Sequence, residues 1–208
     1  MYDSYISVVI DRSGSMIKIK AATMQGYNEF LVGQKAEPGT AKLKLVQFDH
    51  TYVVAYNGDL QEAPPLTDAN YSPLGSTALL DAIGRNINEI GEELSALPEA
   101  ERPKQVIMAI QTDGEENASR KFDKARVFEM ISLQRDVYKW NFMFLGAGED
   151  AINDAAALGI DPDLTLSYDV TPTSMFRSFD TLDVATKSLR STGVYKFTDE
   201  DKLKVKQA

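Results

Sequence analysis

Asp11, Ser13 and Ser15 stand at alternate positions in the run Asp11-Arg12-Ser13-Gly14-Ser15-Met16, directly after an apolar stretch. One carboxylate and two small hydroxyls offer only oxygen ligands, a donor set that suits a hard cation such as magnesium better than zinc or copper. Three groups cannot fill an octahedron, so the motif calls for contributions from other loops. Further on, Gly75-Ser76-Thr77 brings hydroxyls to the start of a helical pattern, where they serve capping or a metal; taken alone, the stretch favours capping. Asp113, in Gln111-Thr112-Asp113-Gly114-Glu115-Glu116, is a second aspartate at the end of an apolar run.

Such groups are useful only if strands deliver them to one place. Ile6, Val8, Val9 and Ile10 form a β-branched run, apolar on both faces, as a strand buried between two helical layers requires. Gln105 to Ile110 reads the same way. In an open α/β sheet, the loops at the carboxyl ends of the strands are where ligands bind, and Asp11 and Asp113 both fall there. Gly14 permits a sharp turn, and a helix with Ile17, Ala21, Met24, Tyr27 and Leu31 on one face follows, ended by Gly33 and Pro38-Gly39.

Leu43 to Phe48 and Tyr52 to Tyr56, joined by Asp49-His50-Thr51, predict an antiparallel edge hairpin with His50 as a solvated turn residue. Leu79, Leu80, Ile83, Ile87, Ile90 and Leu94 mark a long amphipathic helix, and Ala118 to Val137 reads as another, carrying Phe122, Val127, Met130 and Ile131. Asn141 to Leu145 is a strand ending in Gly146-Ala147-Gly148, a tight turn that lacks both the dinucleotide fingerprint and a P-loop lysine. A short helix from Asp150 to Leu158 stops at Gly159, Leu164 to Tyr168 is a last short strand, and Thr171-Pro172 opens a final helix with Met175, Phe179, Leu182 and Leu189 inward. This alternation predicts a Rossmann-like, doubly wound, mainly parallel sheet with one antiparallel edge strand and helices on both faces.

The 208 residues read as one domain over 1–190 with a charged segment at 191–208. That segment is expected to be a solvated tail; the alternative is docking through Val194, Tyr195 and Phe197. No apolar stretch is long enough to span a bilayer and the N-terminus lacks a signal-peptide pattern, so the expected location is cytoplasmic. The absence of cysteine removes thiolate chemistry and the usual structural zinc sites. A net charge of −9 and a pI near 4.7 argue against nucleic acid and anionic membranes as partners. The single histidine, His50, leaves little acid–base chemistry near neutral pH.

Together the motifs resemble a von Willebrand factor type A domain with its metal-ion-dependent adhesion site. The first loop matches the family's Asp-x-Ser-x-Ser at Asp11, Ser13 and Ser15; the family's threonine falls on Thr77 and its second aspartate on Asp113. The likeness runs from about Tyr5 to about Leu189. It implies a divalent ion, magnesium with manganese or calcium as alternatives, held by these five side chains, and a protein partner whose Asp or Glu carboxylate completes the coordination. The implied role is a non-enzymatic, metal-dependent protein-interaction module. Glu115 and Glu116 are expected as first-turn helix residues or as charges that reject wrong partners, Arg12 and Met16 as rim contacts, and Asp81 as a hydrogen-bonding partner of the loops.

The competing reading is a metal-dependent hydrolase or phosphoryl-transfer enzyme using Asp11 and Asp113. Haloacid dehalogenase-type phosphatases place a second aspartate two residues after the first, a position occupied here by Ser13, and neither Ser13 nor Ser15 lies in a Gly-x-Ser-x-Gly elbow beside His50. A third reading, a scaffold that has lost its metal, is disfavoured by the intact ligand set.

Overall fold

The computed structural model describes residues 2–206. Strand β1 (Ser4–Asp11) is buried along its whole length. The chain continues through α1 (Lys20–Ala36), β2 (Ala41–Phe48), β3 (Tyr52–Asp59), α2 (Leu79–Ser95), β4 (Gln105–Thr112) and α3 (Lys124–Asp136). It ends with β5 (Asn141–Ala147), α4 (Ala151–Ala157), β6 (Thr165–Tyr168), α5 (Pro172–Thr192) and α6 (Asp199–Lys206). The sheet order is β3-β2-β1-β4-β5-β6, parallel throughout except for β3, which pairs antiparallel with β2. The doubly wound arrangement with an antiparallel edge is therefore the observed one.

Period-two alternation sends β1 side chains to two cores. Ile6, Val8 and Ile10 pack with α1, α5 and α6, while Tyr5 and Val9 pack with α2, α3 and α4. The change of winding direction falls between β1 and β4, neighbours in register from Ser4 opposite Gln105 to Ile10 opposite Gln111. The carboxyl ends of these two strands, carrying Asp11 and Asp113, therefore open into the crevice at the switch point.

Several boundaries differ from the sequence pattern. A 3₁₀ turn over Gly14–Ile19 precedes α1, and its three-residue period shifts the helical phase. As a result Met16 is fully buried and Ile17 is 62% exposed, and the inward face of α1 is Ala22, Tyr27, Phe30 and Leu31, with Met24 partly buried against the same core and Ala21 exposed. Gly33 does not end α1. A Cβ there would lie 2.5 Å from Asp183 Oδ1, so the glycine lets α1 and α5 approach closely. Helix α3 begins six residues later than expected, at Lys124, with Asp123 accepting the Arg126 amide as its cap.

The charged C-terminal segment docks on the domain. Phe197 and Val205 are buried in the α1–α5 core, the Phe197 amide donates to the Asp163 carbonyl, and Ser174 Oγ donates to the Val205 carbonyl. Val194 stays 69% exposed, so Phe197 rather than Val194 is the anchor. Among the described residues no helix is long and apolar enough to cross a membrane.

Candidate metal site

Asp11 ends β1 with no exposed surface, and its carboxylate is fixed from both sides. Oδ1 accepts the Ser13 amide at 2.6 Å, and Oδ2 accepts the Thr112 hydroxyl at 2.7 Å. From there a chain of oxygens runs across the crevice: Ser13 Oγ lies 3.0 Å from Ser15 Oγ, which donates to Asp113 Oδ1 at 2.6 Å. Thr77 closes the ring. A methyl group built on Gly114 would stand 3.2 Å from Thr77 Oγ1, 3.5 Å from Ser15 Oγ and 4.0 Å from Ser13 Oγ. Three hydroxyls thus surround one point that the absence of a side chain at Gly114 keeps open. The five residues singled out in the sequence come together here: Ser13, Ser15 and Thr77 about this point, Asp113 bonded to Ser15 Oγ, and Asp11 bonded to the Ser13 amide.

Each loop is held by backbone bonds that do not use the converging side chains. The Leu74 amide donates to the Arg12 carbonyl and the Gly14 amide to the Gly75 carbonyl, which ties the second loop to the first. The Ala78 amide donates to the Asp49 carbonyl at the hairpin tip, and the Thr77 amide donates to Asn117 Oδ1. No side chain of residue 78 caps α2 and the Thr77 hydroxyl is not used as a cap, so the capping reading of this stretch does not hold. Tyr71 Oη donates to the Asp11 carbonyl, and Tyr168 Oη donates to the Thr112 carbonyl, bracing β1 and β4 from behind.

Glu116 is not a first-turn residue of a following helix, because residues 113–123 form a loop. Its carboxylate accepts the amides of Leu80, Ala118 and Ser119 and the Ser119 hydroxyl, so it caps α2 from outside. Asp81 bonds the loops as expected, accepting the amides of Arg120, Lys121 and Phe122. Those amides outweigh burial and hold its carboxyl below the ordinary range. Met16 is no rim contact: it is buried, 3.6 Å from Gln111 Nε2. Arg12 turns to the hairpin tip, where Nε pairs with Asp49 at 3.1 Å and Nη2 donates to Thr51 Oγ1. His50 is the expected solvated turn residue, its side chain 55% exposed beside Asp49.

Sequence reasoning missed the Thr112 hydroxyl, Asn117, and the two bracing tyrosines. Thr112 adjoins Asp113 in the quoted motif, but nothing in the sequence marks Asn117, Tyr71 or Tyr168.

The electrostatics follow from burial. Loss of water pushes the Asp11 carboxyl up to about 6, against the lowering effect of the Thr112 and Ser13 hydrogen bonds, and the charge of Asp113 adds to the rise. Burial likewise raises Asp113, with the Ser15 hydroxyl opposing it. Two carboxylates that resist ionising side by side are stabilised by a positive charge between them. Among the described residues no three His, Cys, Asp or Glu side chains cluster as a metal site, so any ion here depends on the hydroxyls. Two carboxylates and three neutral hydroxyls around an open point fit a hard divalent cation and leave room in its shell for another ligand.

No family model and no curated protein matches the sequence. Solved structures do match in shape. A von Willebrand factor type A structure from Catenulispora acidiphila aligns over 90% of this chain and 43% of its own, with a TM-score of 0.61 and 14% identity. The pilus adhesin SpaC from Lactobacillus rhamnosus GG aligns over 90% of this chain and 30% of its own, at 0.66 and 12%. The von Willebrand factor domain of the type V pili tip protein Mfa5 from Porphyromonas gingivalis aligns over 95% of this chain and 99% of its own, at 0.64 and 10%. The chain therefore spans less than half of the first two proteins and nearly all of the third domain. It has the von Willebrand factor type A fold.

Proposed function

We propose that this type A domain is a non-enzymatic, metal-dependent protein-interaction module. Asp11, Ser13, Ser15, Thr77 and Asp113 would hold a divalent cation, magnesium with manganese or calcium as alternatives, and a partner's Asp or Glu carboxylate would complete its shell. When bound, the ion supplies a Lewis-acid bridge between this chain and the visiting carboxylate. The chain itself fixes the ligands: Asp11 is clamped by the Ser13 amide and the Thr112 hydroxyl, and Gly114 keeps the centre free of side chain.

The observation that carries this reading is the convergence of three hydroxyls and two carboxylates from three separate loops at the switch point of the sheet. An enzyme has less support. The residue two after Asp11 is Ser13, and His50 pairs with Asp49 at the hairpin tip and has no hydrogen bond to either loop serine. The adhesin and pilus-tip identities of two similar structures also favour an interaction role, and they set a pilus location beside the cytoplasmic one.

Calorimetric titration with magnesium tests the proposal. The wild-type protein is expected to bind one ion, and Asp113→Ala to give no binding heat while keeping its circular dichroism. Equal binding by both proteins would end the idea.

A further inference from the structure

A cleft of about 660 Å³ opens from the metal-site loop. Thr112, Asp113 and Gly114 form one wall, and the cleft extends past the carboxyl end of β5 to α4. Its volume lies within the roughly 300–1,000 Å³ range of ligand pockets. The lining mixes polar and apolar surface, with the buried side chains of Leu79, Leu80, Phe144 and Leu158 among its residues. The rim is acidic: Glu115, Glu149, Asp150 and Asp154 face a single cation, Lys124.

Several carboxylates elsewhere on the molecule are neutralised by a partner. Glu89, Glu93, Asp163, Asp180 and Asp183 each pair with a lysine or arginine. Among the described residues, the side chains of Glu115, Glu149, Asp150 and Asp154 have no ion pair or hydrogen bond, and Lys124 has none either. A net negative field beside partly apolar walls attracts a long side chain with an aliphatic stem and a positive head.

We infer that this cleft is the specificity half of the interaction site, and that it takes a Lys or Arg of the partner near the carboxylate offered to the metal. The inference deepens the metal-dependent reading and rests on it. Asp113 belongs to both places, so one extended segment crossing from the metal into the cleft engages both. The metal side selects an acid, and the cleft side selects a base and rejects a second acid. A purely acidic segment, sufficient for the ion alone, would be repelled by Glu149, Asp150 and Asp154.

The test is selection from a random heptapeptide display library with a fixed central Asp, on the immobilised 208-residue chain, in magnesium and in EDTA. Magnesium-dependent peptides enriched in Lys or Arg on one side of the Asp are the expected result. A synthetic winner should bind about three- to tenfold more tightly than its Lys→norleucine counterpart, less so in high salt. The double variant Glu149→Lys, Asp154→Lys lies at exposed positions and should lose or invert that preference. Magnesium-dependent peptides without basic enrichment, or the same basic enrichment in the double variant, would overturn the cleft assignment while leaving the metal reading standing. Selection indifferent to EDTA would overturn both.

Discussion

In the β1 loop Asp11 is fully buried and both carboxylate oxygens are engaged, by the Ser13 amide and the Thr112 hydroxyl. In the β4 loop Asp113 is only partly buried, accepts the Ser15 hydroxyl, and borders an open cleft. Asp11 lies level with Thr112 in the sheet and Asp113 one residue further along, so one aspartate is part of the protein's interior while the other borders the open cleft. Charge in the first is fixed by the fold. Charge in the second is available to whatever enters the crevice.

Asp11→Ala should therefore give the largest effect. It removes magnesium binding and leaves the buried Ser13 amide and Thr112 hydroxyl without their acceptor, so chemical denaturation of the metal-free protein should show a loss of about 1–3 kcal/mol. Asp113→Ala should remove magnesium binding too, but change metal-free stability by no more than about 0.5 kcal/mol. Equal stability losses in the two variants would erase the contrast between the loops.

The next effect is one of pH. Burial raises the folded-state pKa of Asp11 from 3.8 to about 6, so its contribution to stability is complete below pH 4 and is lost as pH rises through 6. Asp81, Glu89 and Glu93 are shifted downward and act in the opposite sense, so the comparison must be with Asp11→Asn. In EDTA, wild type should lose stability relative to Asp11→Asn between pH 4 and 7, on the order of 2 kcal/mol. A difference that stays flat across this range would mean that Asp11 is not held in the environment described.

The smallest effect concerns the centre of the ring. Gly114→Ala places a methyl 3.2 Å from Thr77 Oγ1 and should weaken magnesium on the order of tenfold, with the fold intact. Undiminished affinity would move the ion away from the point where the hydroxyls meet.

The strand ends were legible because two independent signals coincide there. Apolar runs marked β1 and β4 as buried on both faces, and an aspartate follows within three residues of the last apolar position in each. The final helix was equally readable, since Thr171 caps it, Pro172 begins it, and its inward residues repeat at helical spacing. The stretch after Asp113 was not. Glu116 looks like an ordinary helix-surface acid, yet its carboxylate binds backbone amides across the gap between two elements. Ile17 and Met16 exchanged roles because a single 3₁₀ turn changes the phase, and the periodicity of side chains cannot reveal a local change in period.

By itself the sequence determined the doubly wound class, the order of its strands and helices, and the residue types of the oxygen set. Hydrophobic periodicity and turn chemistry are local properties, written within a few residues of where they act. Only the tertiary structure decided that Thr77 faces Ser13 and Ser15 across Gly114, that Asp11 is clamped while Asp113 is open, and that unpaired acids gather around a cleft beside them. Those features join residues tens of positions apart, and they arise from how the strands are ordered in the sheet.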